Sequence, residues 1–255
     1  MTAPRLTICD DQDTLAAQAA DFVIDRAREA VKQRGQFTWV LTGGQTPEGM
    51  YQLLAESSRR DAMPWSRTYV FMSDERFVPY SDPRSNFGMA RRALLAKVPI
   101  LAAHLFPMPT DGPTPAAAAR YADRLADFFS EDTARRRPPC FDLILLGLGE
   151  DGHTASLFPG AAALRVEDAW ATWSPSGTLP PSVDRITLTF PVLNAARQVA
   201  FLVAGEKKAA AVRDVLEGRT DVADRPAAGV RPHDGVLTWF LDEDAARLLS
   251  RQFSP

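Results

Sequence analysis

Residues 141–160 have the sequence FDLILLGLGEDGHTASLFPG. The segment begins with FDLILL, the clearest apolar run of the chain, which predicts a strand buried on both faces. Glycines and the acids Glu150 and Asp151 follow this strand, and His153 comes directly after them. The stretch therefore predicts a buried strand that ends in a glycine-rich, polar loop.

The rest of the chain alternates short apolar runs with longer amphipathic segments. The other predicted strands are 6–9, 37–42, 68–72, 185–190, 199–203 and 236–240. The predicted helices are 14–34, one that starts at 47, 86–95, 115–129, 207–216 and 243–249. Strands separated by helices need crossover connections, so we predict an α/β fold with a mostly parallel sheet and helices on both faces. No linker or repeat divides the chain, and we expect residues 1–255 to form a single domain.

Composition and charge exclude several classes of function. The 29 Lys and Arg residues nearly balance the 32 Asp and Glu residues, so the chain lacks the basic face that nucleic acid requires. No run approaches the roughly 20 apolar residues of a membrane span, and the first residues lack the apolar stretch of a secretory signal, so we expect neither a membrane protein nor a secreted one. The two cysteines form no disulfide framework, which favours a cytoplasmic location. No His and Cys cluster predicts a metal site.

A second glycine-containing turn lies in LTGGQTPEGMY, residues 41–51. Gly43 and Gly44 let the backbone approach a ligand, and the free N–H groups at the start of the next helix suit an anion. Thr46 is predicted to cap that helix, with Pro47 at its first position. The segment lacks the Lys of a Walker loop and the third Gly of a dinucleotide fingerprint. An ordinary strand-to-helix turn is the alternative.

Further charged candidates follow other predicted strands. FMSDERFVPYSDPRSNFG, residues 71–88, passes from a strand directly into polar residues that include Asp74 and Arg76. Arg185 opens the strand RITLTF, and Lys208 lies in GEKKA. Ligands of parallel sheets bind beyond the carboxyl ends of the strands, where most of these loops are expected. The alternative is that these side chains are solvated surface charges.

His153 has the surroundings of a proton-transfer group. An imidazole accepts a proton near neutral pH, and a neighbouring carboxylate fixes its tautomer. Spacing alone does not decide whether Glu150 or Asp151 orients the ring. A structural histidine is the alternative, and His104 and His233, which lack such surroundings, are expected to be structural or exposed.

Together, TGGQTP, SDERFVP with the following SN, and GLGEDGHTASLFPG resemble the 6-phosphogluconolactonase family. RITLTF, GEKKA and TWFLDEDAA are weaker similarities, and the motifs extend from residue 41 to residue 246. The wider superfamily includes glucosamine-6-phosphate deaminase and has a sugar-phosphate site on a Rossmann-like sheet. Gln45 departs from the pattern, because family members usually carry Ser at that position.

The resemblance implies hydrolysis of 6-phospho-D-glucono-1,5-lactone to 6-phosphogluconate in the oxidative pentose phosphate pathway, without a metal or other cofactor. We expect His153 to be the general base for water and the glycine-rich loop to donate backbone N–H groups to the oxyanion. The only partner expected is the sugar-phosphate lactone, and a monomer is favoured. The expected substrate and phosphate contacts are Gly43, Gly44, Thr46, Asp74, Arg76, Arg185 and Lys208.

Two other functions are compatible with the same segments. In an isomerase or deaminase on this scaffold, Asp74 would move a proton between carbons and His153 would open the sugar ring. The TASLFP string after the histidine, and the Arg after Asp74 and Glu75, argue against that reaction. A non-catalytic sugar-phosphate sensor would keep Arg185 and Lys208 but would not need a poised base.

Overall fold

The computed structural model describes residues 3–129, 137–176 and 182–250. In chain order, the strands in these ranges are Arg5–Cys9 (β1), Phe37–Leu41 (β2), Thr68–Met72 (β3), Asp74–Arg76 (β4), Leu105–Phe106 (β5), Leu143–Leu146 (β6), Ala171–Ser174 (β7), Arg185–Leu188 (β8), Gln198–Val203 (β9) and Val236–Asp242 (β10). The α-helices are Gln12–Arg34 (α1), Gln45–Leu54 (α2), Ser57–Arg60 (α3), Asn86–Ala90 (α4), Thr114–Phe129 (α5), Phe190–Ala195 (α6), Ala209–Leu216 (α7) and Glu243–Ala246 (α8).

The larger sheet contains seven strands in the order β1-β10-β9-β6-β2-β3-β5, and its neighbouring strands are parallel. This confirms the predicted mostly parallel sheet. Every residue of β2 and β6 is buried, so both faces of the sheet are covered at its centre. The chain moves from β2 toward β3 but from β6 toward β9, in opposite directions across the sheet. The loops after β2 and β6 therefore diverge, which opens a crevice at their carboxyl ends.

A smaller sheet contains three antiparallel strands in the order β4-β8-β7. The strand predicted at 185–190 therefore does not belong to the parallel sheet, and it ends at Leu188, because Phe190 begins α6. Ser73 joins the two sheets. Its N–H donates to the carbonyl of Leu41 at 2.8 Å, and its carbonyl accepts from the N–H of Leu188 at 2.8 Å. This connection places β4 and β8 beside the crevice.

Local capping groups fix both ends of α1 and the start of α4, whereas α4 ends at Ala90 and not at the predicted residue 95, because a π-helical turn over Arg91–Leu95 replaces its last part. The side chain of Asp11 caps α1 by accepting from the N–H of Thr14 at 2.7 Å, and Gly35 ends the helix with a φ of 77°. Ser85 caps α4 by accepting from the N–H of Gly88 at 2.9 Å. In the described ranges, no helix is long and apolar enough to cross a bilayer.

The predicted start of α2 is wrong by two residues. The helix begins at Gln45, and Gly44 is its N-cap with a φ of 111°. This left-handed backbone favours glycine and lets the chain turn sharply from β2 into the helix. Thr46 consequently lies inside the first turn and is not the cap.

Candidate active site

A cavity of about 340 Å³ opens at the carboxyl ends of β2 and β6. The fold brings every segment singled out from the sequence to this cavity, which is lined by residues from 41–51, 71–88 and 141–160, by Arg185 at the start of β8, and by Lys208 from the GEKKA turn. The expected residues that line the cavity are Gly43, Gly44, Thr46, Asp74, Arg76, His153, Arg185 and Lys208. Among the other lining residues are Gln12 and Asn86, two polar side chains that were not expected at the site.

Asp151 orients the imidazole of His153 through a hydrogen bond. The His153 Nδ1 lies 2.6 Å from Asp151 Oδ1, which also accepts from the His153 backbone N–H at 3.1 Å. Burial acts to raise the pKa of Asp151, but its hydrogen bond and charge interaction with His153 outweigh burial and lower that pKa. An ionised Asp151 accepts a hydrogen bond from the Nδ1–H group, so Nε2 of the neutral imidazole carries the lone pair. Nε2 has no hydrogen-bond partner in the described part of the chain, and the ring lines the cavity.

Glu150 does not contact the His153 ring, so the prediction that Glu150 could orient the ring is wrong. Its side chain is exposed and does not line the cavity. Its backbone carbonyl accepts from the guanidinium of Arg225 at 3.4 Å. The tight turn after β6 sends the two neighbouring carboxylates in different directions, and only Asp151 reaches the ring.

The glycine-rich loop is closed by its own backbone hydrogen bonds. The N–H of Gly149 donates to the carbonyl of His153 at 2.8 Å, and the N–H of Gly152 donates to the carbonyl of Gly149 at 3.0 Å. These two N–H groups are therefore not available to an oxyanion, and donation by the other N–H groups of the loop stays a prediction. A Cβ at position 149 would overlap His153 Nδ1 and Asp151 Oδ1, so a glycine is required where the pair packs.

Phe158 lies close to both the imidazole of His153 and the guanidinium of Arg185. Its ring centroid lies 4.7 Å from that of His153, and the Arg185 guanidinium carbon lies 5.2 Å from the Phe158 centroid. A guanidinium over an aromatic face is attracted by the ring quadrupole. The Phe158 ring thus packs against two of the side chains that line the cavity.

Arg185 and Arg76 face each other across two antiparallel strands. They are register partners in the β4–β8 pair, and both line the cavity. Burial lowers the pKa of Arg185; Asp74 counteracts the shift, whereas Arg76 adds to it. Like charges directly opposite each other are unfavourable, and a bound anion removes this repulsion.

Asp74 is a buried carboxylate held by neutral donors. Its Oδ2 accepts from Ser156 Oγ at 2.7 Å, and its Oδ1 accepts from Asn86 Nδ2 at 3.2 Å and Ser73 Oγ at 3.3 Å. The carboxylate is therefore fixed at the cavity wall. Asn86 and Ser156 lie in the SN and HTAS motifs, but their roles depend on contacts between distant segments.

Asn86 also explains the first glycine of the TGG turn. A Cβ at Gly43 would overlap the amide group of Asn86, and the Asn86 Oδ1 is buried there without a hydrogen-bond partner among the described residues. The close approach brings the loop after β2 against the start of α4. The same contact helps place Asp74, which accepts from the other end of the amide.

The opposite wall combines Lys208 with the start of α2. Lys208 follows β9 and lines the cavity, whereas its neighbour Lys207 is exposed and does not. The first backbone N–H groups of a helix have no intrahelical acceptor and carry the positive end of the helix dipole. Gly44 and Thr46 from this turn line the same cavity. The wall therefore provides a second positively polarised surface.

A larger groove of about 1050 Å³ lies between α5 and β7. None of the candidate residues lines it. Its charged lining residues are Asp123, Arg137, Glu167 and Asp168, which give an excess of negative charge. That charge disfavours a phosphate, so the smaller cavity is the candidate site. In the described ranges, no group of three or more His, Cys, Asp or Glu side chains is arranged to hold a metal ion.

Comparisons with known proteins agree with this site. The family model described as glucosamine-6-phosphate isomerases/6-phosphogluconolactonase matches residues 10–239. The chain belongs to this family. It is 41% identical over 248 residues to a 6-phosphogluconolactonase of Synechocystis sp., covering 97% of this chain and 99% of that one. It is 38% identical over 259 residues to the enzyme of that name from Rattus norvegicus, covering 99% and 98% of the two chains.

Solved structures show the same fold. The 6-phosphogluconolactonase from Leishmania guyanensis superposes with a TM-score of 0.86 at 28% identity, covering 98% of this chain and 100% of that one. A monomeric glucosamine-6-phosphate deaminase superposes with a TM-score of 0.78 at 21% identity, covering 96% and 99% of the two chains. At that identity the likeness to the deaminase concerns the fold alone.

Proposed function

We propose that the chain hydrolyses 6-phospho-D-glucono-1,5-lactone to 6-phosphogluconate, with His153 as the general base. The observation that carries the proposal is the His153–Asp151 pair at 2.6 Å, at the wall of a cavity that also contains three cationic side chains. Similarity to 6-phosphogluconolactonases over nearly the whole chain supports the choice of substrate.

In the proposed reaction, a water oxygen attacks the lactone carbonyl carbon while Nε2 of His153 takes one of the water protons. Asp151 stabilises the imidazolium that forms, because its carboxylate accepts from Nδ1. The tetrahedral intermediate then expels the ring oxygen, and the proton on Nε2 passes to that oxygen. The products are a carboxyl group, which ionises, and a hydroxyl group.

The phosphate is held by Arg185, Lys208 and the first turn of α2. Arg76 adds positive charge beside Arg185, and Asp74 accepts hydrogen bonds from the sugar hydroxyls. Charge-assisted hydrogen bonds to a phosphate are about twice as strong as neutral ones. A grip on this non-reacting group positions the ester carbon for attack by water.

A direct assay tests this function. Purified protein is mixed with freshly prepared lactone, and formation of 6-phosphogluconate is followed on a timescale shorter than spontaneous hydrolysis. We expect acceleration in proportion to protein concentration. Ammonia release from glucosamine 6-phosphate is measured in parallel. Ammonia without faster lactone opening would assign the site to a deaminase, and saturable binding without either product would assign it to a sensor.

A further inference from the structure

Glu75 is a completely buried carboxylate between β4 and α4. Its Oε1 accepts from the backbone N–H groups of Arg76 at 2.8 Å and Asn86 at 2.7 Å. Its Oε2 accepts from the N–H of Phe87 at 2.8 Å and from Ser85 Oγ at 3.0 Å. One side chain thus ties the strand to the first turn of the helix through four hydrogen bonds.

Arg76 and Asn86, two of the four residues that donate to Glu75, line the cavity. Successive side chains of a strand point to opposite faces, so Asp74 and Arg76 project to one side of β4 and Glu75 to the other. Asn86 lines the cavity from α4 and donates to Asp74. Glu75 makes no ion pair in the described part of the chain, so its function there is to accept hydrogen bonds from the backbone behind the site.

We propose that Glu75 is a positioning residue that holds Asp74, Arg76 and Asn86 in the arrangement that binds substrate. The inference rests on the proposed function, since it takes Arg76 and Asp74 to be substrate contacts. Glu75 touches neither the cavity nor the His153–Asp151 pair, so it acts on substrate affinity and not on proton transfer.

The protonation of Glu75 provides a readout that a merely structural contact lacks. Burial raises the pKa of Glu75 to about 7; three backbone N–H groups oppose the shift, whereas the charge of Asp74 adds to it. Among the described residues, Tyr80 in the loop that follows β4 also interacts electrostatically with Glu75. The start of α4 presents only N–H groups and the Ser85 hydroxyl. When either carboxylate oxygen of Glu75 is protonated, its proton points at these donors, and that oxygen no longer accepts both of its hydrogen bonds.

The test compares wild-type protein with Glu75→Gln in steady-state lactone hydrolysis between pH 6 and pH 8. At pH 8 we expect the substitution to raise KM about tenfold or more and to change kcat less than about threefold, because the amide NH₂ cannot accept hydrogen bonds. In the wild type, KM should rise as the pH falls through 7, and this rise should be smaller in Glu75→Gln. The substrate phosphate titrates near pH 6 in both cases, so the difference between the profiles belongs to Glu75.

Asp142→Asn is the matched control. Asp142 is another buried carboxylate and accepts from the N–H and Oγ of Thr38 at 2.8 and 3.0 Å, at the amino ends of the strands. The Asp142→Asn substitution should lower the melting temperature without changing KM. A folded Glu75→Gln protein with wild-type KM, or an equal rise in KM in Asp142→Asn, overturns the positioning role.

Two more variants keep the test decisive. Where Glu75→Gln does not fold, Ser85→Ala removes one of the four donors, and we expect a smaller rise in KM; an unchanged KM contradicts the inference. Arg76→Met separates this inference from the proposed function. A higher KM in Arg76→Met with a normal KM in Glu75→Gln refutes only the positioning role. A wild-type KM in both Arg76→Met and Glu75→Gln refutes the assignment of Arg76 as a substrate contact.

Discussion

Replacing Asp151 by Asn tests how the imidazole is oriented. The substitution keeps the shape of the side chain but removes the charge that lies 2.6 Å from His153 Nδ1. A hydrogen bond to a charged partner contributes roughly 1.5–3 kcal/mol, which corresponds to a factor of about 10 to 150 in rate when it strengthens in the transition state. The Asn amide also donates to Nδ1 and so favours the tautomer with a proton on Nε2. We therefore expect kcat to fall about 10²- to 10³-fold.

The assay measures kcat and KM separately under conditions that outrun spontaneous lactone opening. KM should change less than about threefold, because the cationic side chains of the cavity are untouched. The matched control is Glu150→Gln, which neutralises the adjacent, exposed carboxylate outside the cavity and should leave both constants unchanged. A folded Asp151→Asn protein that keeps more than a third of the wild-type kcat refutes the reasoning, as does an equal loss in Glu150→Gln.

The phosphate grip and the TGG turn give two further predictions. Arg185→Met or Lys208→Met should raise KM for the phosphorylated lactone about tenfold or more and should change KM for unphosphorylated gluconolactone less than about threefold. Equal changes in KM for both substrates would contradict the assignment of these residues as phosphate contacts. Gly43→Ala should lower kcat/KM at least about tenfold, because its Cβ overlaps the Asn86 amide. Gly49→Ala in α2, where the added Cβ has an ordinary contact at 3.8 Å, is the control, and similar losses in both variants would contradict the steric argument.

Local signals were sufficient for most of the parallel sheet. The run at 68–72 forms β3 as predicted, since its residues have strong strand propensity and polar residues follow it. Asp11 and Ser85 cap their helices through contacts that span only three residues, so this kind of helix start depends on a local pattern. The α2 boundary differed because a left-handed Gly44 takes the cap position ahead of Thr46.

Local sequence patterns do not predict the smaller sheet. β4 consists of Asp74–Arg76, three charged residues without a strand pattern, and it forms because it pairs with β8, far along the chain. The other strand of this sheet, Ala171–Ser174, and the two-residue Leu105–Phe106 were missed as well, because short edge strands have a weak periodic signal. Their formation depends on tertiary contacts.

The candidate site likewise has some features that follow from local patterns and others that depend on tertiary contacts. The loop after β6 and His153 could be found from sequence, because a polar loop after a buried strand is a local pattern. The choice of Asp151 over Glu150 needed the turn geometry, and the buried Glu75 and Asn86 needed contacts between segments. The single-domain organisation, the monomeric state, the cytoplasmic location and the residue roles stay predictions.

The most direct test of the account is the kcat of His153→Asn for 6-phospho-D-glucono-1,5-lactone. Asn keeps polarity in the loop but cannot take a proton from water, so we predict a loss of about 10²- to 10⁴-fold with KM and melting temperature close to the wild type. A folded His153→Asn protein that opens the lactone at nearly the wild-type rate would contradict the central claim that this imidazole activates the attacking water.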